Sequence, residues 1–119
     1  MKLQKLISKL EKHHKKKLDL SLGRTFNLLK KLGNPQDKLK NVVTVVGTNA
    51  KASMCYSLKS ILNQAGHKTN LYTSPHILSY TERYIFEDKE IDEENLIELI
   101  TDVEKTLGDD NATLFEILT

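Results

Sequence analysis

The sequence predicts an α/β fold of the phosphate-binding-loop type, a parallel sheet flanked by helices, behind an amino-terminal helical segment. Three observations predict it. Val42-Val43-Thr44-Val45-Val46 is a run of five β-prone residues ending at Gly47. A short polar loop with one lysine, Thr48-Asn49-Ala50-Lys51, then leads into an apolar-periodic stretch over 53–65. A second β-prone stretch, 68–73, follows Gly66, which completes a βαβ unit with a right-handed crossover. The first strand shows no apolar/polar alternation, as expected for a strand buried on both faces of a parallel sheet.

Taken in order, residues 2–17 read as a helix. Leu3, Leu6, Ile7 and Leu10 fall at i, i+3, i+4 and i+7 and form one apolar stripe, with lysines on the other face. His13-His14-Lys15-Lys16-Lys17 crowds positive charge at the helix end, where the dipole favours it. Asp19 and Ser21 are N-cap types at a break before a second helix over 24–32, with Phe26, Leu29 and Leu32 as its expected buried positions. Gly33 closes that helix and Pro35 prevents its continuation. In the helix over 53–65, Met54, Leu58, Ile61, Leu62 and Ala65 are expected to point inward. A strand over 82–86, a turn at Glu87-Asp88-Lys89 and a helix from Asp92 to Leu107 follow. The inner face of that helix carries Leu96, Ile97, Ile100, Val103 and Leu107, and Gly108 stops it. Thr113 and Glu116 form a capping box for a last short helix.

Composition bounds the function. The chain has 119 residues, 39% apolar and 29% charged, which suits one small globular domain. No apolar run approaches the roughly 18 residues a membrane span needs, and the first residues lack the apolar core of a signal peptide. A single cysteine, Cys55, excludes an internal disulfide and points to a reducing, cytoplasmic setting; it reads as a small buried hydrophobe. The net charge of +2 conceals an asymmetry, with +9 over residues 1–40 and −7 over 41–119. The basic segment fits an anionic partner or a solvated helix face. His13 and His14 are adjacent and diverge on a helix, so they make a poor metal pair.

The chemistry sits in the loop. A helix start leaves amides without partners and carries partial positive charge, so a phosphate can accept from those donors while a lysine offsets its charge. The general Walker pattern is not met: Val45, Ala50 and Ala52 stand where it has glycine, glycine and Ser/Thr, and Ser53 comes one place late. On the residues alone an ordinary βα turn with a solvated lysine fits as well, and Lys51 is the one residue the pattern singles out. Ligands of open α/β sheets bind outside the strands' carboxyl ends, so 47–53 and Ser74-Pro75-His76 are expected to face one crevice.

Val46-Gly47-Thr48-Asn49-Ala50-Lys51-Ala52-Ser53, then Leu71-Tyr72-Thr73-Ser74-Pro75-His76 and Thr81-Glu82-Arg83, resemble the start of the folylpolyglutamate synthase/dihydrofolate synthase family, which belongs with the Mur-type amide ligases. Asp19-Leu20-Ser21-Leu22 and Thr113-Leu114-Phe115-Glu116-Ile117-Leu118-Thr119 resemble further segments of that family. The resemblance implies a P-loop NTPase-like, Mur ligase central-domain sheet. It also implies an ATP-dependent ligase that joins L-glutamate to a folate or dihydropteroate carboxylate through an acyl phosphate, with magnesium, as a monomer when full length. By the same resemblance Thr48, Asn49, Ala50, Lys51, Ala52 and Ser53 hold ATP, with Lys51 countering charge on the transferred group. Ser74 is a magnesium ligand, Asp19, Leu20, Ser21 and Leu22 line the pterin-containing substrate's site, and the loop from Ser74 to Arg83 closes over it.

Three departures accompany the resemblance. Ala50 and Ala52 replace family glycines, which weakens phosphate binding if either needs a positive φ. Gly23 replaces a frequent glutamate. The family's enzymes are several times longer, so the chain reads as residues 1–40, an amino-terminal helical segment, and 41–119, the start of the ATP-binding α/β domain, truncated and inactive alone. Two other readings compete. One is a basic nucleic-acid-binding module, poorly supported because Phe26 is the only aromatic before residue 56. The other is a degenerate, non-catalytic paralogue. On the residues alone Ser74 is also an ordinary turn residue, His76 has no assigned role, and Glu82 with Arg83 reads as an exposed ion pair of little weight.

Overall fold

A computed structural model describes residues 2–14 and 22–119. The chain divides into two compact units, residues 1–41 with 94–119, and residues 42–93.

The first unit is helical. Helix α1 (Lys2–His13) buries Leu3, Ile7 and Leu10 of the predicted stripe, and Leu6 is half-buried. Helix α2 (Gly23–Lys31) buries Leu28, whereas Phe26 is 61% exposed and Leu29 and Leu32 are half-buried. The stripe of α2 is therefore rotated from the expected one. Gly33 ends the helix in a left-handed conformation, and a 3₁₀ turn (Pro35–Lys38) follows. Two later helices complete this unit. Helix α4 (Glu93–Leu107) buries Leu96, Ile100 and Leu107, and helix α5 (Leu114–Leu118) buries Ile117 and Leu118. Helix α5 packs against α1.

Polar contacts fix the register of these helices. Arg24 Nη2 and Nε both donate to the Glu116 carboxylate, at 3.0 and 3.2 Å, with both side chains largely buried. The expected capping box is present: Glu116 N donates to Thr113 Oγ1 and Thr113 N donates to the Glu116 carboxylate. Lys31 Nζ donates to the Leu107 carbonyl at 3.1 Å, a cation on a carbonyl left without an intrahelical partner.

The second unit holds helix α3 (Lys51–Gln64) and a three-stranded sheet, β1 (Leu71–Tyr72), β2 (Tyr84–Phe86) and β3 (Lys89–Glu90), in the order β1-β2-β3. Both pairings are antiparallel, with Tyr72 opposite Tyr84 and Phe86 opposite Lys89. This corrects the expected parallel sheet. Residues 42–46 form no strand among the described residues: Val42 and Val43 are exposed, and Val46 is 85% exposed. Five β-prone residues give a segment the tendency to extend, but a ladder also needs a neighbouring edge, and none is paired to it here. The strand expected over 68–73 is reduced to Leu71–Tyr72, and the one expected over 82–86 shortens for a local reason. Ser79 caps a 3₁₀ turn (Tyr80–Arg83), which takes residues 82 and 83 out of the strand.

Helix α3 packs against β1 but has no fully buried residue. Met54, Ile61 and Ala65 are exposed, against expectation, while Leu58 and Leu62 are half-buried. Polar anchors tie this helix to the β2–β3 turn, where Lys59 Nζ and Asn63 Nδ2 both donate to Asp88 Oδ1, at 2.8 and 2.7 Å. The Tyr72 and Tyr84 rings lie 5.4 Å apart across the sheet. Burial, then the neighbouring Tyr72, push the Tyr84 phenol well above its ordinary range. No helix among the described residues is long and apolar enough to cross a membrane.

Candidate functional site

The lysine loop is built by two backbone devices. Gly47 has φ +154°, where a side chain is disfavoured. Ala50 has φ +58°, a left-handed conformation at the N-cap of α3, and it offers no side-chain acceptor to the first-turn amides. The helix therefore begins at Lys51, two residues before the expected start. Lys51, Ala52 and Ser53 supply first-turn amides that have no intrahelical partner. Lys51 Nζ folds back and donates to the Gly47 carbonyl at 2.8 Å. Thr48, Asn49 and Ser53 are exposed around it. The arrangement offers an anion several amide donors, the positive end of a fourteen-residue helix and one ammonium group.

The two alanines separate here. Ala50 occupies the left-handed region, which costs an L residue about 1–2 kcal/mol; Ala52 is helical and unstrained. Ala50→Gly is expected to stabilise the chain by about 1 kcal/mol. Ala52→Gly is expected to destabilise it by about 0.5–1 kcal/mol. Urea unfolding of the two variants checks both signs. Ala50→Gly also removes the methyl group beside the first-turn amides.

The second loop leaves β1. Ser74 is exposed, and its hydroxyl has no hydrogen-bond partner among the described residues, so it is available as a hard oxygen ligand. No group of three or more His, Cys, Asp and Glu side chains among the described residues is placed to hold a metal ion. A metal at Ser74 would take its remaining ligands from phosphate oxygens and water, which suits magnesium.

Glu82 and Arg83 are not the exposed ion pair that their adjacency suggests. Glu82 turns back onto its own loop, where Oε2 accepts from Ile77 N at 2.8 Å and Oε1 accepts from Leu78 N and Ser79 N, each at 2.7 Å. The amide bonds from Ile77 and then Ser79 hold its carboxyl below the usual range. Arg83 Nε donates to His76 Nδ1 at 3.0 Å. The guanidinium also lies 4.9 Å from the Tyr80 ring centroid, and the His76 ring lies 4.1 Å from the same ring, tilted by 42°. Sequence reasoning missed this cluster, although Ser79-Tyr80-Thr81-Glu82 carries the spacing of a capping box and the box is present.

Of the expected folate-site residues, Asp19, Leu20 and Ser21 lie outside the described residues; Leu22 is exposed just before α2. Both loops, 47–53 and 74–83, belong to the unit of residues 42–93.

No family model matches the chain. The dihydrofolate synthase/folylpolyglutamate synthase of Escherichia coli K12 is 38% identical over 110 residues, covering 92% of this chain and 26% of that protein. A solved structure of E. coli FolC in complex with DHPP and ADP superposes with TM-score 0.83 at 37% identity, over 98% of this chain and 28% of the other. The bifunctional folylpolyglutamate synthase/dihydrofolate synthase of Yersinia pestis, complexed with AMPPNP and Mn ion, gives TM-score 0.81 at 33% identity, over 97% and 28%. The chain thus spans about a quarter of the length of the relatives it matches.

Proposed function

For a chain homologous to the dihydrofolate synthase/folylpolyglutamate synthases, we propose the nucleotide-holding part of an ATP-dependent ligase that joins L-glutamate to a folate or dihydropteroate carboxylate. The supporting observation is the loop 47–51. Left-handed Ala50 starts a helix whose free amides and Lys51 ammonium face the same short loop. The solved relatives carry ADP or AMPPNP, which agrees with a nucleotide at this place.

The reaction divides between the two loops. The γ-phosphoryl group passes from ATP to a carboxylate oxygen, leaving ADP. The glutamate amine then attacks the acyl carbon, the C–O bond breaks, inorganic phosphate leaves and the nitrogen loses a proton to water. Phosphoryl transfer of this kind needs positioning and charge neutralisation above all. Thr48, Asn49, Ala50, Ala52 and Ser53 bind the phosphates, chiefly through main-chain donors. Lys51 swings from the Gly47 carbonyl to the transferred group. Ser74 offers its hydroxyl to magnesium, which when bound would offset charge on the phosphates. The loop from Ser74 to Arg83 closes over the folate, and Asp19, Leu20, Ser21 and Leu22 line its site.

None of these residues is assigned to glutamate, so the chain by itself is expected to bind nucleotide without turning over. The test is ADP release from the chain with ATP, dihydropteroate, glutamate and magnesium, beside calorimetric titration with ADP and magnesium. Binding without release supports the reading. Robust turnover overturns the inactivity of the chain alone, and absence of nucleotide binding overturns the ligase assignment.

A further inference from the structure

The loop between β1 and the 3₁₀ turn has a feature that its proposed role does not require. Ile77 and Leu78 are each 89% exposed in the loop of residues 73–79. Apolar side chains gain by moving onto a neighbouring apolar surface, so an outward pair needs a backbone that holds it there. The structure shows what does. Three successive amides, those of Ile77, Leu78 and Ser79, converge on one carboxylate, that of Glu82. Such a concave run of main-chain donors is a site for an anion, and here the chain fills it with its own side chain. The base of the clasp is firm. Thr81 is buried at 7% exposure, its hydroxyl lies 2.7 Å from Ser79 Oγ, and its amide donates to the same oxygen. Just after β1, Thr73 N donates to the Arg83 carbonyl just before β2, closing the loop's two ends together.

We propose that Glu82 is a positioning residue: its carboxylate presets residues 77–79 and holds the Ile77–Leu78 pair outward to receive the apolar body of the bound substrate. The second half rests on the reading that this loop closes over the folate; the first half stands on geometry alone. Glu82 touches no substrate and acts through the backbone it holds.

The geometry makes a resolved prediction. In Glu82→Ala all three amides lose their acceptor. In Glu82→Gln one of the two oxygens becomes an NH₂ group, a donor facing a donor, so either Ile77 or the Leu78–Ser79 pair loses its partner while the other keeps it. Residue-resolved hydrogen exchange on the full chain reads this directly. Exchange at 77, 78 and 79 is expected to quicken by about tenfold or more in Glu82→Ala, and only at one side of the carboxylate in Glu82→Gln. A merely structural role would raise exchange across the whole 42–93 unit instead. Titration with dihydropteroate is expected to weaken by about tenfold in Glu82→Ala, with ADP affinity unchanged. Wild-type exchange rates at 77–79 in Glu82→Ala overturn the clasp. Quickened exchange with unchanged dihydropteroate affinity overturns its positioning role. A wild-type chain that binds no dihydropteroate overturns the folate reading of the loop, while the exchange pattern still decides the clasp.

Discussion

Lys51→Ala is expected to cost about thirty- to a hundredfold in affinity for ADP with magnesium, with almost no change in folding stability. The asymmetry follows from where the ammonium stands. Without ligand it meets only the Gly47 carbonyl, at an exposed loop, so the folded chain gains little from it. Against a phosphate the same group makes charge-assisted hydrogen bonds, worth roughly 2–3 kcal/mol where a neutral pair gives about half. Removing the side chain also spares α3, since alanine is the best helix former at its first position. Calorimetric titration of wild type and variant with ADP, alongside urea unfolding of both, separates the two effects. Superimposable titrations would mean an idle loop and a degenerate paralogue that keeps the fold without the chemistry. Ala50→Gly moves the same titration the other way, because it relieves the left-handed strain and bares the amides. Opposite movement of these two variants ties the affinity to this loop.

What the sequence disclosed depended on how local the physics was. The capping box at Thr113 and Glu116 needs only four residues, and it formed as read. The stripes Leu3, Leu6, Ile7, Leu10 and Leu96, Ile97, Ile100, Val103, Leu107 needed only helical period; most of these residues are buried, and Leu6, Ile97 and Val103 are half-buried. Partnership was not legible. Five β-prone residues at 42–46 say that a segment favours extension, not what lies beside it, and the ladders formed instead among 71–72, 84–86 and 89–90. A stripe on α1 says that one face is covered, not that α5 covers it. At the candidate site, the lysine and the helix start were readable from spacing. The sign of φ at Ala50 was not, since alanine is a residue that normally avoids that region. Glu82 was misread because adjacency to Arg83 suggested a pair. In a 3₁₀ turn neighbours point apart, and the carboxylate found three amides behind it instead.

Removing Glu116 is expected to destabilise the helical unit by about 3 kcal/mol for Glu116→Ala. Two losses coincide. Arg24 keeps a largely buried guanidinium without its two-pronged acceptor, and Thr113 N loses the carboxylate that completes the cap of α5. Arg24→Ala leaves the carboxylate with the cap alone and should cost somewhat less. Because both changes break one contact, the double variant should be less damaging than the two costs added. The pair also gives a pH dependence of known sign. Burial alone would raise the Glu116 carboxyl, but the Arg24 hydrogen bonds and the Thr113 amide outweigh it and hold the group below its ordinary range. A carboxyl whose folded pKa is lowered contributes its stability fully above the unfolded value, roughly 4.3, and loses it as pH falls through the folded one. Wild type should therefore lose more stability than Glu116→Gln between neutral pH and about pH 3 in urea unfolding, since the amide does not titrate. Equal losses in the two would mean that the guanidinium does not stabilise the ionised carboxylate.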